Sequence, residues 1–231
     1  MRRALHFVCI VFAVVAAGQS VATSNDEFVP PDDYPTGWYA RIETSAGRIL
    51  AMLHPDQAPQ SVAHFAGLAE GTLEWIDPIS GQSQKAPYYD GIHVSFAKAG
   101  HLFEVGYRNG TSETPSLWVP HEGKSPRGFG DRAGRLGMTT KGAGISGVVF
   151  FVTASTNRRL NGKYPCFGTV VSDLDTVYRI SEVKTHESGR PIEPVTIEKI
   201  RIFSVGNPPP IPEPVPYVPS RVPMTEREPG L

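Results

Sequence analysis

The sequence predicts a mainly β protein: one closed antiparallel barrel of about eight strands, its open ends plugged by two α-helices. Three observations point there. Short alternating or wholly apolar runs of strand length recur between Trp38 and Val205. Two segments, after Ala58 and after Asp173, space their apolar residues by three and four. Roughly 170 residues lie between polar or proline-rich flanks, enough for one domain with a real core. No internal repeat divides them.

The elements follow in chain order. Trp38 to Leu53 alternates around Ser45-Ala46-Gly47, which predicts a β-hairpin with Ile42 opposed to the Ile49–Leu53 arm. Ala58-Pro59 opens the first helix; Val62, Phe65, Leu68 and Ala69 form its apolar face and Gly71 ends it. Thr72 to Pro87 reads as a polar loop, and Ile92–Phe96 and His101–Val105 as short strands around Gly100. Asn109 to Arg135, rich in glycine, proline and serine, is expected to be one long irregular loop. Val148–Thr153 and Tyr164–Val171 are continuous apolar strands. Asp173 to Lys184 is the second helix, with Leu174, Val177 and Ile180 on one face. Pro194 to Val205 places Val195, Ile197, Ile200 and Ile202 in an alternation with one slip, and is the expected closing strand.

The flanks have their own character. Residues 1–22 read as a secretory leader: Arg2 and Arg3, an apolar run from Ala4 to Gly18, then small residues at Ser20-Val21-Ala22. Residues 23–36 are a polar, proline-containing linker, and 37–206 are the domain. In residues 207–231, nine of 25 positions are proline, so this tail cannot build a core and is expected to lie extended as polyproline II or to stay disordered. Cys9 goes with the leader and leaves Cys166 alone, so the mature chain has no internal disulfide. An exported chain without disulfides fits the periplasm of a Gram-negative bacterium better than a bridge-stapled secreted domain. Losing Arg2 and Arg3 takes the formal charge from −1 to −3. That near-neutral balance suggests neither a nucleic-acid partner nor, after leader cleavage, a membrane one.

Three segments carry a likeness to a known family. The strand, turn and helix of 51–70 include His54-Pro55-Asp56-Gln57-Ala58-Pro59. Residues 68–91 read LAEGTLEWIDPISGQSQKAPYYDG. Residues 136–168 include Gly142, Gly147, Phe150-Phe151, Leu160-Asn161-Gly162-Lys163 and Phe167-Gly168. The turn at Tyr89-Asp90-Gly91 closes the second of these. In this order and spacing the chain resembles the bacterial cyclophilins, peptidyl-prolyl cis-trans isomerases. The resemblance implies their barrel fold, their activity on X-Pro bonds of proline-containing or unfolded exported polypeptides, and no cofactor.

The resemblance also assigns roles. Cyclophilins place an arginine in a Phe-His-Arg motif after the Tyr-Asp-Gly turn. Here Ile92-His93-Val94-Ser95-Phe96 follows, which puts Phe96 in the arginine position; no nearby register supplies an arginine. Phe151 keeps the pocket phenylalanine, Leu160 the leucine, and Leu102 replaces the pocket methionine. His101 takes a second pocket phenylalanine's place, Glu104 and Val149 those of two glutamines, and Thr140, beside Lys141, that of the asparagine that holds the peptide. Arg159 fills the tryptophan position that governs cyclosporin binding, which implies poor cyclosporin affinity, and Tyr164 fills the histidine position. The proline cup is thus half kept and the polar rim largely rewritten.

Several readings stay open at this level. Phe96 either fills the arginine's space and seals the groove or is an ordinary inward barrel phenylalanine. Lys98 shares Phe96's face on a straight strand, as a substitute donor or a solvated lysine. Arg159 either reaches over the groove or lies on the surface, and His101 either titrates in the pocket or is structural. Phe151 is buried as pocket floor or as core. The histidines at 54, 64, 93, 101, 121 and 186 lack metal-ligand spacing, so no metal is expected. Gly144-Ile145-Ser146-Gly147 is one residue short of a nucleophile elbow. Cys166, in an apolar strand, is expected buried rather than reactive. A silent binding or chaperone module, or a periplasmic scaffold, is the alternative to an active isomerase. The tail is a spacer, a ligand for a partner domain, or an occupant of the domain's own groove.

Overall fold

The computed structural model describes residues 34–120, 122, 130, 132–141 and 144–217. The expected leader with Cys9, nearly all of the linker, His121, Gly142 and residues 218–231 lie outside the described residues. No described helix is long and apolar enough to cross a membrane.

Eleven strands and two α-helices make up the described chain. They are β1 (Gly37–Thr44), β2 (Gly47–Leu53), α1 (Pro59–Glu70), β3 (Trp75–Ile76), β4 (Ser83–Gln84), β5 (Val94–Lys98), β6 (Leu102–Val105), β7 (Trp118–Val119), β8 (Arg135–Lys141), β9 (Gly144–Thr153), β10 (Cys166–Ser172), α2 (Leu174–Ser181) and β11 (Ile197–Val205). Eight of the strands hydrogen-bond in the order β11-β1-β2-β10-β8-β9-β6-β5, all antiparallel. The seam between β5 and β11 is closed by the His93–Thr196 bridge and by backbone bonds from Val94 N to Val195 O and from Ile197 N to Ile92 O, each 2.8 Å. A curled antiparallel barrel results, as expected.

Most expected elements stand within two or three residues of their place. The β1–β2 hairpin pairs Ile42 with Ile49. The slip in the last strand is a bulge: Glu43 pairs with Lys199 and Thr44 with Ile197, so Glu198 is the extra residue and both Ile197 and Ile200 face the core. Three expectations need correction. The polar loop of 72–87 contains the small β3–β4 ribbon, and the loop of 109–135 contains β7, which pairs with β9. Such two-residue strands are held by tertiary contact and carry no periodicity to read. Strand β8 carries no strand signature in the sequence, because Gly137, Thr139 and Thr140 interrupt its apolar pattern.

Helix α1 plugs one end of the barrel. It starts at Pro59, whose absent N–H is no loss in a first turn, and ends at Gly71, whose φ of 71° is the left-handed cap glycine tolerates. Its N-cap residue is Ala58, which has no side chain to accept the free amides. A carboxylate from a distant loop does that instead. Glu122 accepts from the backbone N–H of Gln60, and from Ser61 N at 2.9 Å and Ser61 Oγ at 2.5 Å. Its negative charge also suits the helix N-terminus. Inward, Val62, Phe65, Leu68 and Ala69 join the main core, where Phe65 packs on Tyr89, Phe150 and Phe167 at centroid distances of 5.6, 5.3 and 5.0 Å. Replacing Glu122 by alanine is expected to lower unfolding stability by about 1–2 kcal/mol in urea titrations, the usual worth of a cap. Glutamine, which keeps one acceptor oxygen, should lose less.

Candidate active site

A row across five strands brings together three of the expected site residues, Phe96, Glu104 and Phe151. Phe96 on β5 opposes Glu104 on β6; Glu104 opposes Phe151 on β9; Phe151 opposes Gly137 on β8; Gly137 opposes Cys166 on β10. Directly opposed residues of an antiparallel ladder share a face, and this is the face turned away from the barrel interior. Leu102, two residues before Glu104, shares it. Leu160 arrives from a single 3-10 turn, Arg158–Leu160. Leu102, Phe151, Leu160 and Cys166 form a buried apolar cluster separate from the main core, with Phe96 and Tyr164 packed on it. Tyr164 meets Phe151 edge to face, 5.2 Å between centroids.

The turn that carries Leu160 is tied to the long loop. Gly130 N donates to Asn161 Oδ1 at 2.6 Å and Asn157 N donates to Gly130 O at 2.8 Å. This gives Asn161 of the Leu-Asn-Gly-Lys motif a physical task. Behind the row, the Tyr88 and Tyr89 hydroxyls donate to Gly106 O and Val148 O, at 2.7 and 2.8 Å, and pin β6 and β9 from the core side. The two tyrosines before Asp90-Gly91 are therefore scaffold, not site.

Phe96 is not an inward barrel residue. The β5–β6 register slips between Val94 and Phe96, with Ser95 as the extra residue and its hydroxyl on Glu104 O at 3.1 Å. Without that bulge Val94 and Phe96 would share a face. With it, Val94 and Ala97 enter the main core and Phe96 turns out onto the cup. On its other side the ring lies against Gly189, where a Cβ would sit 2.2 Å from Phe96 Cε2 and where φ is 80°. Gly189 O also accepts from Ala97 N at 2.8 Å. Phe96 is thus held between the cup and the loop before β11. Phe151 and Leu160 are only 2 % and 1 % exposed, so the cup is closed in this conformation.

The remaining expected residues are dispersed. Lys98 shares the face of Leu102, its cross-strand partner, but is exposed. His101 is exposed at the β5–β6 turn, its Nδ1 3.0 Å from Gly100 O. Thr140 is exposed on β8, and Lys141 ends that strand. Arg159 is exposed, with its backbone N–H on Asn157 Oδ1 at 3.2 Å. Val149 is buried, its N–H donating to Ser146 Oγ at 2.9 Å and its carbonyl accepting from Thr139 Oγ1 at 3.3 Å. No cluster of three His, Cys, Asp or Glu suited to a metal occurs among the described residues. Sequence reasoning missed Tyr107, Ser188 and Arg190, which with Phe96 line a cleft of about 520 Å³ beside the cup. The turn signal at Ser188-Gly189-Arg190 was readable; its approach to Phe96 was not.

Burial pushes the Glu104 carboxyl up to about 7. The Cys166 thiol is raised to about 11 by the same cause, as expected for a buried rather than reactive cysteine. Burial, and secondarily Glu104, raises the Tyr107 hydroxyl. A neutral Glu104 carboxyl is an O–H donor, whereas the glutamine it replaces would offer N–H.

The barrel with its helical plug is the fold of the cyclophilin-type prolyl isomerases. The family model for cyclophilin type peptidyl-prolyl cis-trans isomerase/CLD matches residues 39–202. The chain is similar to peptidyl-prolyl cis-trans isomerase A of Mycobacterium tuberculosis, 30% identical over 71% of this chain and 91% of that one. It is also similar to peptidyl-prolyl cis-trans isomerase B of Streptomyces anulatus, 32% identical over 70% and 94%. Among solved structures, a Cryptosporidium parvum cyclophilin type peptidyl-prolyl cis-trans isomerase crystallised in the presence of the dipeptide Ala-Pro matches with a TM-score of 0.60 and 25% identity, over 72% of this chain and 99% of that one. The chain belongs to the cyclophilin-type peptidyl-prolyl cis-trans isomerase family, and prolyl isomerisation is the activity that membership implies.

Glu104 makes stability depend on pH. In the unfolded chain it ionises near 4.5 and in the folded one near 7. Between those values the folded state holds more protons, so stability falls as pH rises through that window and stays lower above it. Glu104→Gln should raise the melting temperature at pH 8 and leave it nearly unchanged at pH 4, in thermal melts followed by circular dichroism.

Proposed function

We propose that this chain is a prolyl isomerase of reduced turnover, acting on X-Pro bonds in exported proteins with Phe151, Leu102 and Leu160 as the proline cup. The observation that carries the reading is Phe96 in the cup-side row at the position of the family's arginine. Rotation about a prolyl bond faces a barrier rooted in amide resonance. A cup that grips the ring favours the twisted amide; a donor aimed at the imide nitrogen favours it further. Here the cup residues stay together, while Lys98 and Arg159 are exposed. Thr140, His101, Glu104, Val149 and Tyr164 are left as a rim without the amides the family uses on the peptide backbone. The leader-like start and the single cysteine of the mature chain support an exported, periplasmic setting.

A second reading, a module that holds proline-containing segments without turning them over, is favoured by the packing of Phe96 itself. Phe96 and Tyr164 pack on the cluster and Phe151 is 2 % exposed, so a proline ring reaches Phe151 only after the packing around it opens. That step weakens binding but needs no chemistry.

A protease-coupled assay on a short X-Pro peptide separates these readings. Loss of one aimed donor is worth about 2–4 kcal/mol, so kcat/KM is expected to fall at least about tenfold below an arginine-bearing cyclophilin assayed alongside. Phe96→Arg should then raise the rate by at least that factor, because it both opens the cup and restores a guanidinium. Turnover indistinguishable from the background, unchanged in Phe96→Arg, would favour the holding module. Brisk turnover in the unaltered chain, lost in Arg190→Ala or Lys98→Ala, would place the donor elsewhere and overturn the proposal.

A further inference from the structure

The proline-rich tail does not float free over its described length. Residues 207–217 run without helix or strand across the outer side of α1. The indole N–H of Trp38 donates to Pro209 O at 2.7 Å. The Gln60 side chain engages the tail backbone twice, donating to Glu213 O at 3.3 Å and accepting from Val215 N at 2.7 Å. Between these anchors Ile211 packs on the main core.

The receptor surface is shaped for this occupant. Helix α1 is buried from Ser61 to Ala69 without a break, although a plug helix ordinarily keeps one face in water. Ala63, Ala66 and Gly67, outside the inward stripe, line the floor beneath Pro210, Ile211 and Pro212. Proline offers carbonyls but no N–H, and the surface answers with donors, the Trp38 indole and the Gln60 amide. The one N–H taken up comes from Val215, a non-proline residue. Two clefts, of about 500 and 460 Å³, remain beside the strap, and Trp38 lines both.

We propose that the Trp38–Gln60 face of α1 is a second binding site, separate from the prolyl cup, for an extended proline-rich segment of another polypeptide, and that residues 207–217 are its resident competitor in cis. An aromatic donor over a proline carbonyl, with apolar seats for alternate residues, is how polyproline II ligands are read. The tail leaves β11 directly beside the site, so its effective concentration there is on the order of millimolar or more. An incoming segment therefore binds only as far as it displaces the strap.

The test uses the full-length chain and a fluorescein-labelled peptide with the sequence of residues 207–217, followed by fluorescence anisotropy. Ile211→Asp in the protein releases its own strap and leaves the receptor surface intact. That variant should bind the peptide at least about tenfold more tightly than the unaltered chain. Adding Trp38→Phe, which deletes the indole donor, should cost most of that gain, and a peptide carrying the Ile211→Asp change should not bind. Val215→Pro removes only the N–H given to Gln60 and serves where Ile211→Asp fails to fold; it should tighten peptide binding several-fold. Peptide affinity equal in the unaltered and strap-released chains, all folded by circular dichroism, would overturn the proposal. So would a strap-released chain that dimerises by tail exchange and still takes up no peptide.

Discussion

Everything in this domain hangs on strand β9, which has protein on both faces. All ten of its residues are buried, so period-two alternation gives neighbouring side chains to different environments. Phe150 enters the aromatic core with Phe65, Tyr89 and Phe167, and Phe151 goes to the cup. A slip of one residue would exchange them. The hydroxyls of Tyr88 and Tyr89, bonded to Gly106 and Val148, resist such a slip from inside.

Strand β5 shows the same dependence in a sharper form. One extra residue, Ser95, decides whether position 96 belongs to the core or to the site. This chain sets a phenylalanine there, and its ring packs on the apolar cluster. Burial raises the neighbouring Glu104 carboxyl, which explains its expected drag on stability above neutral pH.

On another side of the barrel the chain solves a different problem. Helix α1 has an alanine where a capping side chain is wanted and small residues where solvent would otherwise meet it. Glu122 and the strap of 207–217 supply what the helix lacks. Both come from segments whose composition reads as loop or tail. Burial of a helix on every side is the sign that such segments are part of the fold.

The sequence by itself determined the barrel, its two helices and most strand positions. Those follow from local signals: period two or three-to-four spacing, Pro59 and Gly71 at the helix ends, and motif residues in fixed order. It also determined that no arginine follows Tyr89-Asp90-Gly91. Tertiary structure alone decided which way Phe96 faces, that Gly189 leans on it, that burial raises the Glu104 carboxyl, that β3, β4, β7 and β8 are strands, and that the tail's first part is docked. These depend on register shifts, on close approach between segments far apart in sequence, and on burial. None of the three leaves a periodic trace in the residues involved.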